Sequence, residues 1–268
     1  METNFFHQVK KVLIASSIND KFTLFTKVYD AFLNDILDFE KTDDIEVFTQ
    51  PSYSNICTIV DQREVPQRKS LASDESKAML LHAIAHIEYS AIDLALDACY
   101  RFQDMPKEYY KDWMEVADDE IRHFNMINEL LETYDIKYGD IVVHQGLFEA
   151  CMRSLELIPR MALIPRYMEA NGLDANAMMI NRLKKIPNSQ KIIELLEVIL
   201  EEEIDHVKKG DRWYKYACSK KENFTCDYFK IVNSVYPNSF RTNKNINIDA
   251  RMEAGFSEEE IKRLQNLS

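Results

Sequence analysis

Two copies of Glu-x-x-His, Glu120-Ile121-Arg122-His123 and Glu203-Ile204-Asp205-His206, constrain this chain more than any other feature. On a helix, positions i and i+3 share a face, so each copy aims a carboxylate and an imidazole at one point. A single copy is a weak signal, because an acidic chain with six His meets that spacing by chance. The setting strengthens it. Glu120 shares its face with Trp113, Val116, Ala117, Phe124, Ile127 and Leu131, and Glu203 with Ile192, Leu196, Ile199, Leu200, Val207 and Tyr214. A carboxylate directed into an apolar stripe costs several kcal/mol unless it is paired, protonated or bound to a cation.

Two further acids pass the same test. Glu88 lies on a face with Leu81, Ile84, Ala85, Ala91, Ile92 and Ala95, and Glu169 with Leu155, Ile158, Ala162, Leu173 and Ile180. The four form an internal repeat: Glu88 precedes Glu120 by 32 residues, and Glu169 precedes Glu203 by 34. Glu88 is 18 residues before Pro106 and Glu120 is 14 after it; Glu169 is 18 before Pro187 and Glu203 is 16 after it. At about 1.5 Å per residue, each pair returns to nearly one height in an antiparallel helical hairpin. The predicted metal ligands are therefore Glu88, Glu120, His123, Glu169, Glu203 and His206.

Five Gly and seven Pro in 268 residues suit long helices better than many short strands. The expected fold is all-α. Residues 1–73 are read as two short helices and an irregular wrap, 74–218 as an antiparallel four-helix bundle, and 219–268 as a helical extension packing on it. Bundle helices are predicted from Ser73 or Asp74 to about Phe102, from Lys107 to Tyr134, from near Leu147 to Ile186 with kinks at Pro159, Pro165 and Gly172, and from Gln190 to Ala217. A last helix is predicted from Ser257, where Ser-Glu-Glu-Glu resembles a capping box.

A net charge of -12 argues against coating nucleic acid or anionic membrane. The start of the chain lacks a signal peptide's pattern, and no apolar run nears the roughly 18 residues of a membrane span. Cys57, Cys99, Cys151, Cys218 and Cys226 are odd in number with no C-x-x-C pair, so they are expected as reduced thiols in a cytoplasmic protein.

One Glu from each of two helices with Glu-x-x-His from each of two others is the ligand pattern of ferritin-like di-iron and di-manganese proteins. Carboxylate and imidazole donors suit iron, with manganese or a mixed pair as alternatives, and the absence of Cys from the set argues against structural zinc. The chain also resembles the bacterial DUF455 family of ferritin-like proteins. The resemblance is carried by His82-Ala83-Ile84-Ala85-His86-Ile87-Glu88, Ala117 to Phe124, Tyr138-Gly139-Asp140, Ile164-Pro165-Arg166 leading to Glu169, Glu203 to Trp213, Ala250-Arg251 and Ala254-Gly255-Phe256. It spans about residues 64–256 and departs from the family at Val142-Val143-His144, where Pro-Ala-His is expected. It implies a ferritin-like fold and a dinuclear centre, and assigns no reaction.

The bland readings compete at several positions. Asp119 and Glu202, each four residues before a His, are alternative partners on more polar faces. Glu115, Glu201, Glu149 and Glu156 read as solvated, the last two beside Arg153 and Arg160 at i+4. His82, His86, His144 and Tyr89 are candidates to support the ligands, with ordinary packing or helix roles as the alternative; Tyr89, Tyr167, Tyr214 and Trp113 are candidates for redox steps near the metals and are read first as packing residues.

Three functional classes follow. The first is an oxidoreductase or hydroxylase acting with O2 or peroxide on a small molecule, served by an electron donor, in a monomer or homodimer. A minority version takes tRNA as substrate, because Lys208, Lys209, Arg212, Lys215, Lys220 and Lys221 form a basic run, although a helix C-terminus explains these residues as well. The second is a metal-storage or peroxide-detoxifying protein without organic substrate. The third is a scaffold with a vestigial site.

Overall fold

A computed structural model describes residues 3–67, 70–222, 225–240 and 245–267. Among these residues all regular structure is helical, apart from two isolated bridges, Asn4 with Asp38 and Ile59 with Val143. The chain divides into two compact units, Met1–Phe148 and Glu149–Ser268. Segment 74–218 thus contributes one helical hairpin to each unit.

The first unit is built on α3 (Asp74–Arg101) and α4 (Lys107–Glu132), which pack along their lengths. Ser73 caps α3 by accepting from the Ser76 N–H. Phe102 to Pro106 provide too short a connection for anything but a return. The Tyr109 hydroxyl donates to the Ala98 carbonyl (3.4 Å), which fixes the antiparallel register near the turn. An 18-residue window of α3 is apolar enough to cross a membrane by length and composition, but 72% of it is buried within the fold. Two N-terminal helices, α1 (Phe5–Leu13) and α2 (Ile18–Leu33), cover this hairpin, α1 resting on α3. Phe5 and Phe6 pack on Phe39 and Tyr110. Lys21 is fully buried, yet satisfied: its Nζ donates to the Val12 (3.1 Å) and Leu13 (3.3 Å) carbonyls and to Asp93 (2.6 Å). It closes the end of α1, where helix carbonyls lack partners. The expected irregular wrap after α2 contains one 3-10 turn, Ser52–Asn55.

α5 (Gly146–Arg153) leads into the second unit, whose hairpin pairs a broken arm with the straight 30-residue helix α8 (Gln190–Ser219). The arm comprises α6 (Leu157–Leu163), a π-helical turn (Ile164–Glu169) and α7 (Ala170–Leu183). Of the expected kinks, the one at Pro165 is a π-turn beginning one residue before it, since proline has no N–H to give to an α ladder; Pro159 instead sits within α6, just after the break that follows Arg153, and Gly172 lies inside the continuous α7. Arg160, expected on a solvated face beside Glu156, lies inside the fold. It donates to the Ser154 (2.9 Å) and Cys151 (2.9 Å) carbonyls, closing the end of α5.

The C-terminal segment adds α9 (Tyr228–Val235), α10 (Ile248–Glu253) and α11 (Glu258–Gln265). The capping box at Ser257 forms as predicted, with Glu260 reciprocating. α10 rests on α7 and α8, and Arg251 makes two hydrogen bonds to Asp174 (3.1 and 2.7 Å) and one to Asn171 (2.9 Å). The expectation of five reduced thiols fails at Cys218 and Cys226, which form a disulfide; Cys57, Cys99 and Cys151 are buried thiols. α8 ends at Ser219 and the chain doubles back to α9, bringing the two Cα atoms to 5.9 Å. A spacing of eight residues does not announce that reversal.

Candidate metal centre

In the first unit α3 and α4 bring three of the predicted ligands together. His123 Nδ1 lies 3.2 Å from a Glu88 carboxylate oxygen and 3.5 Å from a Glu120 oxygen. Ligand atoms of these three residues lie within 4.8 Å of one another. Glu120 and His123 are completely buried and Glu88 is 4% exposed. Two carboxylates and one imidazole in such surroundings carry an excess of negative charge. Burial, then the Glu120 charge, pushes the Glu88 carboxyl up to about 8. Burial alone would lower His123, but the Glu120 and Glu88 carboxylates outweigh it and raise the imidazole to about 11. The Glu120 carboxylate contributes to both shifts, adding to burial at Glu88 and opposing it at His123. Anionic oxygens and an imidazole nitrogen at this separation also suit a divalent cation, so the donor set fits a metal.

The second unit repeats the design. Glu203 and His206 sit one turn apart on α8 (3.6 Å), His206 completely buried and the Glu203 side chain 15% exposed. Two contacts bracket the register of the opposing arm. Asn176 donates to the Leu196 carbonyl (3.4 Å) at one level, and Pro165 meets Gly210 at another. Glu169 lies seven residues before Asn176, and Glu203 seven after Leu196; Glu169 lies four after Pro165, and His206 four before Gly210. Glu169, at the end of the π-turn, therefore stands at the height of Glu203 and His206. It is half-buried.

The proposed supporting histidines do different work. His86 Nε2 lies 2.8 Å from the His144 carbonyl, which can only accept, so this nitrogen carries the proton. Nδ1 then accepts from the Tyr138 hydroxyl (3.0 Å). His82 Nε2 accepts from the Gly139 (3.0 Å) and Ile141 (3.4 Å) N–H groups. Burial lowers both imidazoles to about 4, keeping them neutral acceptors and donors for the 138–144 loop. Gly139 is needed in that loop: its φ is 105°, and a Cβ there would lie 2.7 Å from the Ile56 carbonyl oxygen. His144 Nδ1 accepts from the Gly146 N–H (3.1 Å). Tyr89 is buried between the Tyr138 and Phe124 rings, the latter next to His123.

Other expectations find their places. Asp119 pairs with Arg122 on the surface (2.6 Å) and Glu115 faces Lys111 (3.7 Å). Within the basic run, Lys209 pairs with Asp205 (2.9 Å) and Lys215 with Asp211 (2.7 Å). Sequence reasoning missed the arginines around the π-turn. Arg166 is 1% exposed, pairs with Asp211 (3.0 Å) and Glu260 (2.9 Å), and lies among the rings of Tyr214, Tyr228 and Phe256 at 4.5–4.8 Å. Its sequence signal is its place in the Ile164-Pro165-Arg166 stretch that carries the family resemblance, which says nothing of its burial.

The family described as "Protein of unknown function (DUF455)" matches residues 14–262. The chain belongs to the DUF455 family. A protein of Haemophilus influenzae, described as uncharacterized, is 35% identical over 97% of this chain and 93% of its own length. No solved structure matches. The match takes in both hairpins, the π-turn and the arginines that brace it, so the family's shared segment includes every predicted ligand.

Proposed function

We propose that this DUF455 protein holds a dinuclear metal centre, iron before manganese or a mixed pair, and acts as an O2- or peroxide-dependent oxidoreductase. The observation that carries it is the buried Glu88–Glu120–His123 cluster, two carboxylates and an imidazole whose ligand atoms lie within 4.8 Å of one another. Glu169, Glu203 and His206 are taken to complete the set from the second hairpin, in the pattern of ferritin-like di-iron proteins. Such a metal pair supplies one- and two-electron redox chemistry and Lewis acidity. The chain's part is to hold the ligands on stiff helices, to keep them dry, and to leave room beside them for a small substrate. Glu120 and His123 do the first two by complete burial.

The test is metal analysis of protein grown with iron and manganese, with Glu120→Ala, Glu203→Ala and Glu115→Ala alongside. Wild type and Glu115→Ala should carry close to two equivalents and the two ligand variants should lose them. Less than about half an equivalent in folded wild type, or equal content in all variants, overturns the reading. Anomalous diffraction at the iron and manganese edges would identify the ions. Peroxide consumption without any oxidised organic product would favour the detoxifying version of the same centre.

A further inference from the structure

We propose that Cys218–Cys226 is a reversible thiol–disulfide exchange site that sets how firmly α9 holds the π-turn ending in Glu169. Cys218 belongs to the last turn of α8, and Cys226 immediately precedes Asp227, which caps α9 by accepting from the Lys230 N–H (3.2 Å). The bond therefore fixes the entry of α9 against the end of α8. Both cysteines are half-buried, whereas Cys57, Cys99 and Cys151 are buried, so a soluble thiol has access to this pair before the others. The closed loop is short, eight residues in sequence, so the bond constrains the unfolded chain less than a long-range one would. The fold does not depend on it in the way a small disulfide scaffold does.

What the bond governs is read from the next residues. The Tyr228 hydroxyl donates to the Arg166 carbonyl (2.7 Å), inside the π-turn, and its ring lies 4.5 Å from the Arg166 guanidinium. On the other side of α9, Asp227 and Phe229 meet Arg263 of α11 (3.4 and 4.0 Å). α9 thus packs on α6 and reaches the π-turn through Tyr228, a strap whose entry the disulfide fixes. A π-turn holds one residue more than α spacing, so its relaxation would swing Glu169 by about 100° around the helix. That this would alter a metal ligand rests on the function proposed above; the strap itself does not.

The exchange balances without metal. A thiolate of glutathione attacks one sulfur, the S–S bond breaks as a mixed disulfide forms, and a second glutathione displaces the first as glutathione disulfide. The protein gains two thiols, and glutathione disulfide reverses the sequence.

The experiment uses the full chain stripped of metal by chelator, so its outcome is independent of metal binding. Protein is equilibrated in glutathione buffers from reducing to oxidising, thiols are trapped by alkylation and located by mass spectrometry, and hydrogen exchange is followed in parallel. Cys218 and Cys226 should interconvert together while the other three stay unmodified. Reduction should speed amide exchange in residues 226–235 and 164–169 by about tenfold or more. Cys226→Ser should exchange fast in every buffer; if it does not fold, the reduced wild type supplies the comparison. A pair that stays oxidised in reducing buffer until the chain unfolds, or unchanged exchange at 164–169 on reduction, overturns the proposal.

Discussion

Gly210 of α8 faces Pro165 of the π-turn so closely that a Cβ added to the glycine would lie 2.1 Å from the proline Cβ. Nothing on the proline ring can rotate away. The contact sets the spacing at which Glu169 meets the level of His206. Gly210→Ala should destabilise the protein by about 1–3 kcal/mol, the cost of overpacking. Gly172→Ala, with nothing within 4 Å of the added carbon, should be neutral or stabilise by about 0.5–1 kcal/mol through helix propensity. Urea denaturation of the two variants checks this; equal losses would show that the Pro165 contact is not the cause.

The metal-free protein should lose stability as pH rises. Glu88 is raised from 4.5 to about 8 and His123 from 6.5 to about 11, so the native state binds more protons than the unfolded chain. The stability those protons confer is complete below the lower value of each pair and is lost through the upper one. Calorimetry in chelator should show a melting temperature falling between pH 6 and pH 9, with a shallower fall in Glu88→Gln. A flat or rising profile in the wild type would contradict the assignment.

Arg166→Leu should cost about 3–5 kcal/mol, because it removes the guanidinium shared by buried Asp211 and partly buried Glu260. Tyr228→Phe removes one hydrogen bond to the π-turn and should cost only about 1 kcal/mol. Thermal unfolding of both variants gives the ratio, and a mild Arg166→Leu would mean that the acids find other partners.

His86→Leu should loosen the 138–144 loop by about 1–3 kcal/mol, since it strips the Tyr138 hydroxyl and the His144 carbonyl of a partner. Hydrogen exchange across the loop is the measurement. Metal content should be retained; its loss would give His86 a direct role at the centre.

The sequence by itself determined the long helices α3, α4 and α8 and the level at which Glu88 meets the Glu120-to-His123 turn, because helical periodicity and rise are local and the Pro106 turn fixes where the chain returns. The pairing of Glu88 with His123 follows from that arithmetic alone. Tertiary structure decided what local rules do not carry. It chose which polar groups could be buried: Arg166 and Arg251 go inside because acids and rings from distant segments receive them, and nothing in their own helices announces it. It turned His82 and His86 toward a loop more than 50 residues away. It absorbed Pro165 as a π-turn, which is affordable only where Gly210 lets the partner helix approach. And it brought Cys218 to Cys226, a pairing that depends on how the chain reverses after α8 and not on the spacing of the residues themselves.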